Sequence, residues 1–311
     1  MQSQNAAKSY TPIDPARFRR VEQQPIPAGV SYERGAFYHI LASLRQNKLA
    51  VICLVLLAII TIASLLAPLS PYDPDTYDLM NKLAPPSPQH LFGTDELGRD
   101  YFTRALYGGR VSLAVGFFSM LVSVTLGTII GTVSGYLGGV VDMVLMRILD
   151  IVMSVPTFLL IIIINAYLKP GLSTMIFIIA IFAWMSVARV VRAETMSLKE
   201  RDFVLAAKNL GTSHLVILFR HIIPNMSSSI IVAASLSIAS AILTESSLSF
   251  LGFGVRLPTS SWGSMLQSAQ GQILYNPLLA VFPGLLILIT VLSFNVLGDI
   301  LRNALEPKLV K

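Results

Sequence analysis

Long apolar runs separated by polar and basic intervals set the organisation of this chain. Six runs are long enough for a helix to cross a bilayer, which takes about 17 to 25 apolar residues: Leu49 to Leu69, Val111 to Tyr136, Val144 to Tyr167, Leu172 to Val191, Ser227 to Thr244 and Pro277 to Leu297. The interval from Arg201 to Asn225 carries a pattern of its own. Phe203, Ala206, Ala207 and Leu210 recur at helical spacing before Gly211, and Leu215, Leu218, Phe219 and Ile222 do so after it. His214 on one side and Arg220, His221 and Pro224 on the other keep the second pattern too short to span, so the interval predicts two short amphipathic helices at a membrane surface. Ahead of the first run, Phe37, Ile40, Leu41 and Leu44 lead into Arg45 and Lys48, which predicts an interfacial helix. The stretch before it is polar, contains Pro12, Pro15, Pro25 and Pro27 and has no period, which predicts a flexible arm.

An even number of spans puts both ends of the chain on one side. Charge says which side: the tail (Arg17, Arg19, Arg20, Arg34, Arg45, Lys48), the gap after the fourth run (Arg192, Lys199, Arg201, Lys208, Arg220) and the end (Arg302, Lys308, Lys311) are basic and are expected in the cytoplasm. The opposite loop, Ser70 to Arg110, holds Asp73, Asp75, Asp78, Asp95, Glu96 and Asp100. The predicted organisation is a cytoplasmic tail (1–36), an interfacial helix (37–48), a first span (49–69), an extracytoplasmic loop (70–110), a five-helix core (111–298) that includes the polar interval 192–225, and a cytoplasmic end (299–311). Residues 1–48 contain no apolar core of signal-peptide type, so the first span is expected to stay as an anchor.

Composition agrees with an all-α integral membrane protein: 54% of the 311 residues are hydrophobic and 13% charged, against about 25% charged in soluble domains. The net charge of +6 does not point to nucleic acid, because the basic residues lie in the gaps between spans rather than on one soluble face. Cys53 is the only cysteine and falls inside an apolar run, so it reads as a small buried side chain with no disulfide to make.

Inside the spans, Gly127, Gly131 and Gly135 share one helical face and let a second backbone come close. Ser229, Ala233, Ser237 and Ala241 form a similar stripe, read as packing with part of it on a wet pathway. Asp142, Arg147 and Asp150 open the third span; Arg147 and Asp150, three apart, are expected to pair on the helix surface. No other span is expected to supply a buried partner acid at mid-depth, which speaks against a proton relay. Pro156 is expected to kink the third span. Thr94 or Asp95 in GTDELGRD is expected to cap a helix running into Tyr101 and Leu106. The loop from Ser246 to Asn276, with Phe250, Phe253, Arg256 and Trp262, suits contact with another protein, a cap on the pathway, or ordinary loop packing. No Gly-Lys dipeptide occurs, so there is no Walker A loop, and nucleotide-driven work must come from a partner. The dispersed His39, His90, His214 and His221 make no metal-ligand spacing with one another or with Cys53, and no G-x-S-x-G elbow is present. These residues suggest neither a catalytic site nor a metal site.

Four stretches combine with the Arg201–Asn225 interval into a recognisable set: HLFGTDELGRDYFTRALYGGRVSL (His90 to Leu113), GYLGGVVDMVLMRILDIVMSVP (Gly135 to Pro156), LSFLGFG with the later SWGSML (Leu248 to Leu266), and FNVLGDILRNALEPKL (Phe294 to Leu309). The interval itself has Ala206-Ala207, three residues, Gly211, then Pro224 thirteen positions on, which is similar to the EAA loop of permease subunits in bacterial ABC importers. From about Phe37 onward the chain resembles the second permease of the oligopeptide/dipeptide/nickel branch. The resemblance implies a type I importer permease fold with six transmembrane helices and a cytoplasmic coupling helix, in the bacterial cell membrane with both termini inside. It implies a homologous permease as heterodimer partner, two cytoplasmic ATPase subunits that bind ATP and Mg, an extracytoplasmic solute-binding protein, and no cofactor on this chain.

Carried over by position, Ala206, Ala207 and Gly211 would form the close contact and turn against the ATPase, and Pro224 would end the following helix. Two positions depart from the family pattern: Leu205 stands where the motif has glutamate, and His221 where it has isoleucine. The implied substrate is peptide, with a nickel chelate as the alternative. The rival classes are an ion-coupled secondary transporter, which would need buried ionisable groups near mid-membrane, and a non-transporting scaffold.

Overall fold

The computed structural model describes residues 44–168, 171–255 and 258–305. The predicted arm, most of the interfacial helix, Arg256, Lys308 and Lys311 lie outside them. The elements are α1 (Lys48–Leu65), α2 (Tyr101–Leu137), α3 (Gly139–Met153), α4 (Thr157–Tyr167), α5 (Leu172–Leu198), α6 (Asp202–Asn209), α7 (Ser227–Phe250), α8 (Trp262–Ala269) and α9 (Leu278–Leu305). Among the described residues the one β-type pairing is an isolated bridge between Thr94 and Asp100. Five helical stretches are long and apolar enough to cross a membrane, and α3 with α4 makes a sixth if the pair is taken as one broken span.

The first span begins where the Asn47 side chain accepts hydrogen bonds from the Leu49 and Ala50 amides. It packs on α9, burying Cys53 with Leu57, Leu297 and Ile300. The long α2 starts ten residues before the predicted Val111, and its cap is neither Thr94 nor Asp95. Asp100 accepts from the Thr103 amide at 2.7 Å, while Thr94 bonds the Asn81 carbonyl and Asp95 holds the Arg99 side chain at 2.7 Å. The acidic loop is thus tied together first, and the cap falls to the last acid before the helix. With 37 residues, α2 is about 55 Å long at 1.5 Å per residue and exceeds the roughly 30 Å hydrocarbon core.

The glycine stripe works as backbone contact. Cβ atoms built at Gly127, Gly131 and Gly135 would lie 2.8 Å from the Trp184 carbonyl, 2.5 Å from that of Ala188 and 2.7 Å from that of Arg192. All three carbonyls belong to α5, so α2 and α5 are pressed together along that face, as small-residue packing requires.

The third predicted span is broken rather than kinked: α3 and α4 meet at 77°. Pro156, which has no amide to continue the ladder, stands just before α4 and leads its first turn. The stretch Ser246–Asn276 is also not a simple loop. Ser246–Phe250 completes α7, and α8 is driven into the protein, with Trp262 wholly buried and its indole donating to the Ala105 carbonyl at 2.9 Å. Around Trp262 gather Tyr101, Ala105, Ile242, Met265, Leu279 and Ile287.

Candidate functional site

The Arg201–Asn225 interval folds as α6, a left-handed turn and a helical path that runs into α7. The Gly211 amide donates to Lys208 and the Thr212 amide to Ala207, with Gly211 at φ +77, the pairing that closes a helix in a left-handed residue. From His214 the path continues to Phe250 without a loop. Pro224 therefore does not end a separate helix; it opens a tight turn, Pro224–Met226, at the foot of α7. Between them Ile217–Ile222 is wound wide, and the Ile223 amide reaches back five residues to Leu218, a departure from α geometry that often accompanies function.

Burial splits the predicted seat. Ala207 is buried with Val204, Ile217, Leu218, Ile222 and Met226, against Val187 and Val191 of α5. It holds the segment to its own chain. Leu205, Ala206 and Gly211 are exposed, and beside them stand Leu210 at 85%, Leu215 at 68% and Phe219 at 68% exposure. They lie in the polar and basic interval between two long apolar runs. Tyr136, near the end of α2, bonds His214 at 2.9 Å and anchors the rim.

Next to this surface, α5 grips the turn between α2 and α3. Arg192 bonds both carboxylate oxygens of Asp142, with Nη2 at 2.5 Å from Oδ2. Ser134 donates to the same carboxylate at 2.5 Å, and Lys199 donates to the Gly135 carbonyl at 3.1 Å. One turn along α5, Arg189 pairs with Asp150 at 2.6 Å. The predicted Arg147–Asp150 pair is thereby replaced: Asp150 reaches across to Arg189 of α5 rather than along its own helix.

At the other end of α2 lies a group the sequence reading missed. Glu245 is fully buried inside α7, one residue beyond the predicted end of that span. Ser249 donates to one oxygen at 2.7 Å and Ser112 to the other at 3.0 Å. Ser112 in turn accepts from the Trp262 amide at 3.3 Å, and Ser261 bonds Ser249 at 3.4 Å. Glu245 is a buried acid in another span, but it lies near the end of α7 rather than at mid-depth. Serines at positions 246, 247 and 249 were the available signal, because small hydroxyl side chains let a buried carboxylate be satisfied locally.

The remaining predicted residues are placed as follows. Ser229, Ala233 and Ser237 are half-buried on α7, while Ala241 is buried with Val115 and Ile178. Asn165 at the end of α4 bonds the Phe253 carbonyl, tying the broken span to the loop before α8. In the acidic loop, Arg104 bonds the Pro74 carbonyl at 2.9 Å and lies 3.6 Å from Asp95, and His90 meets Asp100 at 2.9 Å. The hydrogen bond from the Asn81 side chain holds the Asp78 carboxyl below its usual pKa. Among the described residues no group of three or more His, Cys, Asp and Glu side chains could hold a metal.

Comparison with known proteins gives this geometry a setting. Residues 127–311 match the family described as binding-protein-dependent transport system inner membrane component, and residues 37–86 match the N-terminal TM domain of oligopeptide transport permease C. The oligopeptide transport system permease protein OppC of Bacillus subtilis (strain 168) is 42% identical over 86% of this chain and 88% of its own length. The glutathione transport system permease protein GsiD of Escherichia coli O157:H7 is 45% identical over 76% and 79%. Among solved structures, an inward-facing conformation of the MetNI methionine ABC transporter superposes with a TM-score of 0.53 at 19% identity, covering 63% of this chain and 94% of that one, a likeness of fold. The chain belongs to the binding-protein-dependent transport system inner membrane component family, as a permease of the oligopeptide/dipeptide type of ABC importer.

Proposed function

We propose that this chain forms, with a homologous permease, the pathway of a peptide importer whose energy comes from two separate ATPase subunits holding ATP and Mg. An extracytoplasmic binding protein delivers the solute. In this reading the α6 end faces the cytoplasm, because Arg192, Lys199, Arg201, Lys208, Arg220 and Arg302 gather there, whereas Asp73, Asp75, Asp78 and Asp95 lie in the loop at the other end. Nucleotide closure of the ATPases pushes on α6, and rigid-body motion of the spans exposes the pathway alternately to each side.

The observation that carries the coupling role is the uncovered apolar face of Leu205, Leu210, Leu215 and Phe219, fixed from behind by the buried Val204 and Ala207. The seat is apolar: Leu205 leaves no carboxylate at the motif's acidic position, and Ala206 gives a partner close approach. Peptide is the substrate because the relatives are named for an oligopeptide and for glutathione. Glu245 does not favour an ion-coupled reading: it lies near the end of α7 rather than at mid-span, and Ser249 of α7 and Ser112 of α2 bond its two oxygens.

The test is Ala206→Arg in the complete transporter. The chain should reach the membrane, the ATPase should no longer co-purify, and ATP-dependent uptake of a radiolabelled tripeptide should be lost. Normal assembly and uptake would remove the docking role, and uptake of Ni²⁺ in place of the tripeptide would remove the substrate assignment.

A further inference from the structure

The helix α3 has a sharp change of direction at each end and a charged grip along one side. At its start, Gly138 and Gly139 both take positive φ, +64 and +53. Such a turn is open to glycine and strained for other residues. At its far end the chain breaks by 77° at Pro156. Between the two bends one face packs on α5, with Leu149 buried against Met185 and Ala188. The same face carries Asp142 and Asp150, bonded to Arg192 and Arg189 of α5. The next helix after α5 is α6, which follows within a few residues: the Arg201 amide donates back to the Leu198 carbonyl. The glycine face of α2 presses against the second half of α5, from Trp184 to Thr195. A push on α6 thus reaches the packed α2–α5 pair, whose contacts with α3 include the two ion pairs, the Ser134–Asp142 hydrogen bond and the small apolar seat between them.

We infer that α3 is a hinged strut whose angle is set from α5 by the Asp142–Arg192 pair, seconded by Asp150–Arg189, so that motion of the coupling segment is carried into the broken span α3–α4. Asp142 and Arg192 are positioning residues: they touch no solute and act through the helix they orient. The bidentate geometry suits the task, because a fork-to-carboxylate pair fixes direction as well as distance. Asp150–Arg189 is exposed at both partners and adds less, as solvated pairs do. This inference rests on the coupling role proposed for Arg201–Asn225.

The experiment uses the complete transporter in proteoliposomes, with Cys53→Ser removing the only native cysteine of this chain and Leu159→Cys placing a reporter on the exposed side of α4. The readouts are co-purification of the ATPase, ATP hydrolysis, uptake of a radiolabelled tripeptide, and the change in maleimide labelling at position 159 on adding ATP and Mg. Arg192→Asp and the milder Arg192→Gln should keep the ATPase bound and hydrolysis within about twofold. Uptake should fall about tenfold, and the ATP-dependent change in labelling should vanish. The swap Asp142→Arg with Arg192→Asp should restore uptake and the labelling change to within about threefold of the parent. Normal uptake in the single variants, or a swap no better than them, overturns the inference. The coupling role itself falls separately, if Ala206→Arg in the same complex keeps the ATPase and normal uptake, and that variant is read first.

Discussion

The two ends of α2 differ in what their chemistry holds: a buried carboxyl knot near Ser112, and an ion-paired turn beside uncovered apolar side chains near Tyr136. Ser112 and Tyr136 stand about 36 Å apart along the helix at 1.5 Å per residue. Around Ser112 the polar chemistry is completed inside the chain: Glu245, Ser249, Ser261 and the Trp262 amide bond one another, all out of reach of solvent. Around Tyr136 the chain leaves its apolar chemistry unfinished, with Leu210, Leu215 and Phe219 uncovered beside a wide-wound helix and a left-handed turn. A closed polar knot holds a fold together, because removing one member strands the others without water. An open apolar face leaves the fold as it is and gains only when a partner covers it. Stability and assembly should therefore respond to different ends of the same molecule, and variants can be ranked by how strongly they disturb the stability of the chain.

The largest effect is expected from Trp262→Ala, which empties the centre of the α8 packing and removes the bond to the Ala105 carbonyl. Full truncation of a buried tryptophan costs about 3–5 kcal/mol, and the thermal midpoint of the purified transporter should drop accordingly, with α8 the first segment to lose protection in hydrogen exchange. Glu245→Ala should follow, since the Ser112 and Ser249 hydroxyls lose their acceptor at roughly 1–3 kcal/mol for a stranded buried group. If both variants melt like the parent while assembly fails, the division between the ends is wrong. Gly131→Val comes next. It sets a side chain where a Cβ alone would lie 2.5 Å from the Ala188 carbonyl, and overpacking of this kind costs about 1–3 kcal/mol. It joins both ends, so it should lower the thermal midpoint and ATPase-coupled uptake together.

How legible this was from the sequence depends on what each signal measures. Hydropathy found the five long apolar helices and the broken α3–α4 pair, because a segment that can cross a bilayer must be apolar whatever it packs on. The glycine spacing gave the face of α2 but not α5 as its partner, since spacing describes one helix alone. Polar partners inside the membrane were the weak point. Asp150 was matched to its neighbour Arg147, whereas tertiary structure offers Arg189, and Glu245 was placed outside the span because a charge ends a hydropathy window even where serines satisfy it. In the Arg201–Asn225 interval the helical period was correct but its facing was not. Ala206 and Ala207 are adjacent, and only packing against Val187 and Val191 shows that Ala207 turns inward and Ala206 outward. Trp262 was read as part of a loop because α8 is only eight residues long, too short for a periodic signal.

A smaller effect belongs to Asp78 in the acidic loop, at the α8 end. Its carboxyl is held below the ordinary value of 3.8, first by the Asn81 side chain. The sign follows from linkage: a group with a lowered folded pKa contributes stability above its unfolded value and loses it as pH falls through the folded one. The thermal midpoint of the parent should therefore decline on acidification below about pH 4, and Asp78→Ala should show a shallower decline over that window. An identical slope in the two proteins would mean that this carboxylate is not linked to folding.

The smallest effect on stability should come from the most exposed part of the other end. Phe219→Ser replaces a ring that is 68% exposed and has no place in the buried cluster behind it. Exposed substitutions away from caps and cores stay within about 0.5 kcal/mol, so the thermal midpoint of the chain purified without ATPase should be unchanged. With ATPase present the expectation reverses. Phe219 is part of the apolar face proposed to be covered on assembly, and losing a central aromatic anchor of an interface costs about 1 kcal/mol or more of binding, roughly fivefold or greater in affinity. The measurement is a titration of the ATPase against the membrane-embedded permease pair, run beside Trp262→Ala. A variant that melts normally but binds weakly, next to one that melts early, separates the two ends. Equal affinity for parent and Phe219→Ser would place the covered face elsewhere, with Leu205 and Leu210 as the next side chains to change.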